Sequence, residues 1–195
     1  MKTHRIEIID ATAEDAVMIA EAIMDAVGPE IVAGMAGDHS REEVREVFAR
    51  LAARDDTQYS YRNTRIALAP DGCKAGVCVS YDGGRLIELR RPFFAEARRS
   101  LGWSITDDEV DALPGETCAE EFYLDTLATL PQYRGMGIAT ALIDDARKKA
   151  HRAGLPLGLL VADDNSSARR LYESLGLRPF ARRPFAGEMM TNLRE

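Results

Sequence analysis

The chain has 195 residues, of which 46% are hydrophobic and 29% are charged, and this length suits one domain, residues 1–195, with a sizeable core. Its net charge of −7 and its lack of a basic stripe interleaved with aromatic residues disfavour nucleic-acid binding. No apolar run could cross a bilayer, and the N-terminal segment MKTHRIEIID lacks the apolar centre of a signal peptide. We therefore expect a cytoplasmic protein that binds neither nucleic acid nor membrane.

The cysteines and histidines show no grouping that is typical of a metal site. The cysteines are odd in number and lack metal-type spacing, which predicts reduced thiols rather than disulfides. The histidines are isolated, so none is assigned to catalysis, and no metal is expected. These residues are Cys73, Cys78, Cys118, His4, His39 and His151.

Charge is unevenly distributed along the chain. Residues 130–195 contain 11 Lys or Arg against 7 Asp or Glu, a net charge of +4, so the total of −7 leaves −11 for residues 1–129. A basic C-terminal part fits a polyanionic cofactor, and an acidic N-terminal part would favour a cationic substrate. For the second inference, an ordinary solvated face is an equally good interpretation.

The N-terminal part predicts a strand followed by two helices. Residues 5–9 form the strand, and Thr12 precedes a helix that Gly28 and Pro29 end. Ser40-x-x-Glu43 is the pattern of a capping box, in which the two side chains satisfy backbone N–H groups at the start of a helix.

A hairpin is predicted next. Residues 59–68 and 75–81 read as strands on either side of the turn Pro70-Asp71-Gly72, and residues 82–84 close the hairpin.

Residues 82–119 form an insertion between predicted strands, with a helix expected over residues 91–101. Long insertions in compact domains are often lids or binding elements. The alternative is a helix that only covers one side of the sheet. If the first interpretation holds, the specificity for the substrate resides here.

The most informative segment is the junction Gln132-Tyr133-Arg134-Gly135-Met136-Gly137, where an apolar strand leads into a helix. Glycines allow close approach of the backbone to a ligand, and N–H groups in the first turn of a helix have no partner within it. The helix dipole adds partial positive charge at the same place. The junction is therefore suited to holding phosphates. A helix over residues 137–153, a buried strand over 155–162 and a helix over 166–175 follow.

This strand–loop–helix–strand–helix block, about residues 120–180, resembles the GNAT superfamily of N-acetyltransferases, which use acetyl-coenzyme A. The family's pyrophosphate loop reads Gln/Arg-x-x-Gly-x-Gly/Ala, and Gln132, Gly135 and Gly137 match it. A second signature is an Asn, an Ala three residues on, a Leu-Tyr pair, and then Gly with an aromatic residue. This chain has Leu177 in the aromatic position but matches the others with Asn165, Ala168, Leu171, Tyr172 and Gly176.

The resemblance implies an α/β fold in which a mixed central sheet splays at strands four and five, with helices on both faces. It also implies transfer of an acetyl group from acetyl-CoA to a primary amine of a small molecule or peptide. If the chain associates, the expected assembly is a homodimer. The acceptor amine, the length of the acyl group and the oligomeric state are not determined by the sequence.

The resemblance also assigns cofactor-binding positions. A bulge in the fourth strand would leave backbone N–H groups free for the pantetheine arm, and the loop with the first helical turn would hold the pyrophosphate. Asn165 either contacts the cofactor, caps a helix, or does both. The positions assigned to the cofactor are Leu127, Ala128, Thr129, Gln132, Arg134, Gly135, Met136, Gly137, Ile138, Ala139, Thr140, Asn165 and Tyr172.

Three residues are candidates for acid–base chemistry. Tyr172 is the expected proton donor to the departing thiolate, because a phenol with a pKa near ~10 stays protonated at neutral pH. Its alternative role is packing on a helical stripe. Glu121 and Asp125 lie four apart on the fourth strand, hence on one face, and are candidates for the general base; each could equally be a surface carboxylate.

Two other functional classes fit parts of the pattern. Gly135-x-Gly137-x-x-Thr140 partly matches a dinucleotide-binding fingerprint, although Thr140 replaces the third glycine and little chain follows to complete a doubly wound sheet. The other class is a sensor module that binds acyl-CoA without transferring the acyl group.

Overall fold

The computed structural model describes residues 6–195, and a seven-stranded sheet forms the centre of this part of the chain. Its strands are β1 (Glu7–Asp10), β2 (Thr64–Leu68), β3 (Lys74–Asp82), β4 (Phe122–Thr129), β5 (Leu157–Val161), β6 (Arg178–Phe185) and β7 (Glu188–Arg194). Their spatial order is β1-β2-β3-β4-β5-β7-β6. Only β4 and β5 pair in parallel, and the other neighbours are antiparallel.

Helices cover both faces of this sheet. They are α1 (Ala16–Val27), α2 (Pro29–Ala36), α3 (Arg41–Ala52), α4 (Leu86–Leu101), α5 (Asp107–Ala112), α6 (Ile138–Arg152) and α7 (Ser166–Ser174). One apolar cluster packs α1 to α4 against Ile66 and Val77, and a second packs α6 and α7 against their strand neighbours Ala67 and Cys78. Because side chains alternate along a strand, the two clusters lie on opposite faces. The predicted mixed α/β fold is confirmed.

The parallel pair is short, and this creates the splay. Pairing is limited to Phe122 with Leu157, Tyr123 with Gly158 and Leu124 with Leu159, after which β4 diverges from β5. A sheet with a single parallel pair is not doubly wound, so the dinucleotide-binding alternative is wrong.

Most of the N-terminal elements agree with the sequence. The capping box of α3 is present, with the Ser40 N–H donating to Glu43 Oε2 at 2.8 Å and the Glu43 N–H donating to Ser40 Oγ at 3.2 Å. Pro29 does more than end α1, since it also begins α2 at a position where its missing N–H costs nothing. The strand predicted over residues 59–68 begins only at Thr64.

Two expectations for the insertion are wrong in detail. Residues 82–84 do not close a hairpin, because a 3-10 turn over Gly83–Arg85 leads into α4. The helix begins at Leu86 rather than residue 91 and continues through Pro92, since Leu86, Leu89 and Phe93 bury one continuous stripe. The insertion thus covers one face of the sheet.

The hairpin of β6 and β7 has no counterpart among the predicted elements. Pro179, Pro184 and several arginines interrupt the apolar alternation of β6, which is tolerated because β6 is an edge strand. The turn places Ala186 at φ 50° and Gly187 at φ 86°, values that suit a tight two-residue hairpin. Within residues 6–195, no helix combines the length and apolarity that a bilayer span requires.

Candidate active site

The divergence of β4 from β5 opens a cavity of about 320 Å³, called here the splay cavity. Its walls come from the end of α1, β4, β5, α7 and the β6–β7 hairpin. Four of the residues singled out in the sequence line it together: Asp125, Leu127, Asn165 and Tyr172. The topology therefore places an acid–base candidate from β4 opposite one from α7.

The bulge in β4 lies at Asp125. Val79 of β3 pairs with Thr126 and the next residue, Ser80, pairs with Leu124, so Asp125 is the extra residue. The expected bulge therefore exists, but Leu127, Ala128 and Thr129 lie beyond it, in regular register with β3. Within residues 6–195, these three residues have no strand partner on the β5 side, which leaves that edge of β4 free.

Asp125 is held in place by two hydroxyl groups. Tyr81 Oη donates to its Oδ2 at 2.7 Å, and Thr126 Oγ1 donates to its Oδ1 at 3.0 Å. Burial raises the pKa of the Asp125 carboxyl to about 6, against the lowering effect of these hydrogen bonds. A carboxylate with this pKa is mostly ionised at neutral pH and can still accept a proton.

Glu121 is placed differently, although the sequence puts it on the same strand face. It has no exposed surface and precedes the first residue of β4. Thr117 Oγ1 donates to its Oε1 at 2.8 Å, and Asn192 Nδ2 lies 3.4 Å from its Oε2. The carboxylate does not line the splay cavity. The structure thus separates the two base candidates and brings only Asp125 to the opening.

Tyr172 both packs and faces the cavity. It is 9% exposed and belongs to the apolar cluster beneath α6 and α7, as the packing interpretation expects. It also lines the splay cavity. Burial, followed by the nearby Cys78 thiol, raises the pKa of its phenol to about 12, so the hydroxyl keeps its proton at physiological pH.

Asn165 has a structural role at the same opening. Its Oδ1 accepts a hydrogen bond from the Ala168 N–H at 3.1 Å and caps α7. Because it also lines the splay cavity, capping and ligand contact are compatible.

The glycine junction forms an open cradle at the start of α6. Gly135 and Gly137 have φ values of 78° and 85°, in the left-handed region that favours glycine. The first helical hydrogen bond runs from the Ala141 N–H to the Gly137 carbonyl, so the preceding N–H groups have no backbone partner within residues 6–195. Those N–H groups belong to Ile138, Ala139 and Thr140.

The remaining residues of the junction surround this cradle. Gln132 lies in a 3-10 turn and Met136 is 48% exposed. Arg134 is exposed, and its Nε lies 3.4 Å from the Thr129 carbonyl oxygen, which ties the loop to the end of β4. The cradle and the free edge of β4 are thus adjoining parts of one surface.

Sequence reasoning missed a second cavity beside the first. This aromatic pocket, of about 360 Å³, is walled by Tyr59, Phe93, Phe94, Trp103 and Phe185 and contains Glu116. Burial and, to a lesser extent, the charge of Asp125 raise the pKa of the Glu116 carboxyl to about 7. Glu116 has no local signal in the sequence, because it follows α5 in a connecting segment.

Tyr81 and Tyr123 were also missed. Their rings lie 5.8 Å apart, and both phenols have pKa values well above the usual range, chiefly through burial and then through the charges of Asp125 and Glu116. Tyr123 lies two residues from Glu121 and two residues from Asp125 in the sequence. Residues two apart on a strand share a face, so this spacing could have marked Tyr123 as part of the site. Within residues 6–195, no group of three or more His, Cys, Asp or Glu residues is arranged to hold a metal ion.

Several solved structures with the same architecture are acetyltransferases. A crystal structure described only as an acetyltransferase is 27% identical, with a TM-score of 0.76 over 97% of this chain and 98% of that one. An N-acetyltransferase from Staphylococcus aureus Mu50 is 18% identical, with a TM-score of 0.78 over 97% of this chain and 100% of that one.

A third similar structure is the PaiA N-acetyltransferase from Thermoplasma acidophilum in complex with coenzyme A. It is 16% identical, with a TM-score of 0.51 over 98% of this chain and 99% of that one. The Staphylococcus aureus and Thermoplasma acidophilum structures are less than 25% identical to this chain, so their likeness to it concerns the fold alone. No curated protein sequence matches this chain.

Residues 41–177 match the model of the Acetyltransferase (GNAT) family. Because this match spans most of the sequence, the chain belongs to the GNAT family and is an acyltransferase.

Proposed function

We propose that the protein transfers the acetyl group of acetyl-CoA to a primary amine, with Asp125 as general base and Tyr172 as general acid. The observation that carries this proposal is that both side chains line one cavity where β4 diverges from β5. Asp125 comes from the bulge of β4 and Tyr172 from α7, so the two groups can approach a bound thioester from different elements.

The residues of the cofactor side fit acetyl-CoA. The φ values of Gly135 and Gly137 open the backbone of the cradle, and a Cβ atom at Gly135 would meet no described atom within 4 Å. This leaves room for a pyrophosphate against the free N–H groups of α6. Thr129 Oγ1 is buried without a hydrogen-bond partner within residues 6–195, which provides an unmet polar group beside the free edge of β4.

The path of the cofactor follows from these positions. The pyrophosphate would be held by the cradle, with the Arg134 guanidinium beside it, and the pantetheine arm would follow residues 127–129 toward the splay cavity. Coenzyme A bound to the Thermoplasma acidophilum relative supports use of the same cofactor here. When bound, acetyl-CoA supplies the activated acetyl group, and the side chains of this chain manage the protons.

Asp125 would prepare the nucleophile. An alkylamine with a pKa near ~10.4 is only about a thousandth neutral at pH 7.4, so a proton must be removed before attack. From ammonium to amide the nitrogen loses two protons, and both pass through Asp125 to solvent: the first before the C–N bond forms and the second as it forms. The hydrogen bonds from Tyr81 and Thr126 keep the carboxylate oriented toward the cavity.

Tyr172 would complete the reaction at sulfur. Its hydroxyl gives a proton to the sulfur as the C–S bond breaks, and it regains a proton from solvent. The products are an N-acetyl amine and the free thiol of coenzyme A. The two groups suit these opposite roles, because the pKa of Asp125 lies below neutral pH and that of Tyr172 lies far above it.

Two expectations from the sequence bear on this proposal. A sensor that only binds acyl-CoA would not need an oriented carboxylate and a protonated phenol on one cavity. Transfer of the acetyl group is therefore the better interpretation. Cys73, Cys78 and Cys118 are free thiols, which supports a reducing compartment such as the cytoplasm.

The test is a thiol-release assay with acetyl-CoA against a panel of arylalkylamines, polyamines, amino acids, aminoglycosides and peptide N-termini, with mass spectrometry of the products. We expect stoichiometric release of coenzyme A and formation of an acetylated amine. Tight acetyl-CoA binding with no turnover on any of these amine classes would contradict the proposal and favour the sensor alternative.

A further inference from the structure

The aromatic pocket and the splay cavity meet at one side chain, Phe185, which lines both. Phe185 pairs with Glu188 at the tip of the β6–β7 hairpin, so the tip of this hairpin borders both spaces. A molecule seated in the aromatic pocket would therefore adjoin the cavity that Asp125, the base proposed above, lines. The pocket is the natural place for the part of the acceptor that does not react.

Building on the proposed function, we infer that the acceptor is a small monoamine with an apolar, ring-sized body, whose ammonium group lies between Glu116 and Asp125. The body would occupy the aromatic pocket. Glu116 is thereby a specificity-determining residue for the acceptor, supplied by the insertion at residues 82–119.

The shape of the pocket limits the size of the acceptor. Its volume of about 360 Å³ is near the lower end of the range for small-molecule sites, which is roughly 300–1,000 Å³. Five aromatic rings form its walls, and three of them lie close to Phe93: its ring centroid is 5.8 Å from that of Tyr59, 5.2 Å from that of Phe94 and 5.9 Å from that of Trp103. A small pocket with aromatic walls fits a single ring better than an extended peptide or polyamine chain.

The charges of the pocket select the ammonium. Glu116 lines the aromatic pocket and Asp125 lines the adjoining splay cavity, and the charge of Asp125 raises the pKa of Glu116. A cation placed between them relieves this repulsion, and the surrounding aromatic faces also attract cations. Arg90 lies on the same wall, but its guanidinium donates to the backbone carbonyls of Val110 and Leu113. The charge of Arg90 lowers the pKa of Glu116, but by less than burial and Asp125 raise it, so Glu116 stays available to the acceptor.

An unmet polar group also points to a ligand. Gln58 lines the aromatic pocket and is 5% exposed, yet its Oε1 has no hydrogen-bond partner within residues 6–195. A buried amide oxygen without a partner is costly to the fold and is satisfied when a ligand donates to it.

Trp103 offers a direct measure of binding that does not depend on turnover. It is the only tryptophan of the chain, and its ring is fixed against the aromatic pocket by a hydrogen bond of 3.0 Å from Nε1 to the Met35 carbonyl. Its fluorescence should change when 2-phenylethylamine, the probe, fills the pocket. The neutral analogue 2-phenylethanol should bind by the same ring contacts but without the contribution of the carboxylates.

The experiment compares Glu116→Gln with Glu120→Gln, which removes the same charge at an exposed position outside the pocket. We expect Glu116→Gln to weaken 2-phenylethylamine binding about 10- to 100-fold, the effect of losing a hydrogen bond to a charged group. Binding of 2-phenylethanol should stay unchanged, and Glu120→Gln should resemble the parent protein. In the thiol-release assay, the KM for the amine should rise with little change in the KM for acetyl-CoA.

The outcomes separate this inference from the proposed function. Equal amine binding by Glu116→Gln and the parent protein, or turnover of spermidine or a peptide in preference to 2-phenylethylamine, would overturn the inference while leaving acetyl transfer intact. Glu116-dependent binding of 2-phenylethylamine without acetylation of it or of any other amine would support the pocket and contradict the proposed reaction.

Discussion

In the proposed site, the coenzyme side and the acceptor side are built in different ways. The coenzyme side uses backbone: the cradle at Gly135 and Gly137, the N–H groups of α6 and the free edge of β4. The acceptor side uses side chains from distant segments, including Tyr59, Trp103, Glu116 and Phe185. Backbone groups recognise a ligand independently of side-chain identity, whereas side chains can be chosen to fit one acceptor.

The difference also concerns electrostatics. The cradle offers partial positive charge from a helix N-terminus, while the acceptor side contains two carboxylates with raised pKa values. Asp125 stands where the two sides meet. Substitutions there should affect chemistry, and those farther out on either side should affect binding of one substrate only.

The largest effect is expected at the meeting point. Asp125→Asn keeps the size of the side chain but cannot accept a proton, so kcat/KM for the amine should fall by ~10²–10⁴-fold. In the parent protein, kcat/KM for the amine should rise with pH as the carboxyls of Asp125 and Glu116 ionise, with pKa values of about 6 and about 7, and should level off above that range. Pre-steady-state and steady-state assays from pH 5 to 8.5 test both points. An Asn variant with the parent's rate and pH profile would remove Asp125 from the mechanism.

A smaller loss is expected for Tyr172→Phe. The ring and its packing remain, so stability and acetyl-CoA affinity should change little, but the single-turnover rate should fall by ~10²-fold. Single-turnover measurement is needed because slow product release would hide the effect. A wild-type rate in this variant would leave Tyr172 as a packing residue only.

The coenzyme side is tested alone by Gly135→Ala. Gly154→Ala is a matched control, since Gly154 at the other end of α6 has φ 72° against 78° at Gly135, and neither Cβ would meet a described atom within 4 Å. Both substitutions should destabilise the fold by about 1 kcal/mol through left-handed backbone strain. Calorimetry should show acetyl-CoA binding weakened about tenfold or more only for Gly135→Ala, where close backbone approach is needed. Equal affinities of the two variants for acetyl-CoA would show that the pyrophosphate does not bind at Gly135.

The smallest effect concerns stability on the acceptor side. The folded-state pKa of Glu116 is raised from 4.5 to about 7, so the folded protein loses stability as pH rises through this window. Glu116→Gln does not ionise and should be more stable than the parent by on the order of 1 kcal/mol at pH 8, with the gain shrinking toward pH 5. Urea unfolding at both pH values measures the difference. A Gln variant that is less stable at pH 8 would contradict the placement of this carboxyl.

The two sides also differed in how far the sequence predicted them. The cradle and the α7 residues are contiguous motifs, so Gln132, Gly135, Asn165 and Tyr172 could be singled out by spacing. Asp125 and Glu121 had equivalent sequence signals, and only the tertiary contacts of Glu121 with Thr117 and Asn192 distinguish them.

The acceptor side could not be predicted because its members are far apart in the chain. Glu116 follows a short helix whose own start, the capping pattern Thr106-x-x-Glu109, was present in the sequence and could have been used. Phe185 reaches the site through an edge hairpin whose prolines hide its strand pattern. Nothing local in either segment indicates which ring or carboxylate it will meet.

The burial of Glu121 has a consequence for how the sheet assembles. Its carboxylate lies against Gly158, where a Cβ atom would overlap it, and the parallel pairing of β4 and β5 is short. A slip of one residue would bring Leu157 or Leu159 to this position and force a leucine side chain onto the carboxylate. One alignment of the two strands is therefore selected during folding, and with it the residue at which they part. The register of β4 and β5 thus fixes the depth of the splay cavity before any ligand is present.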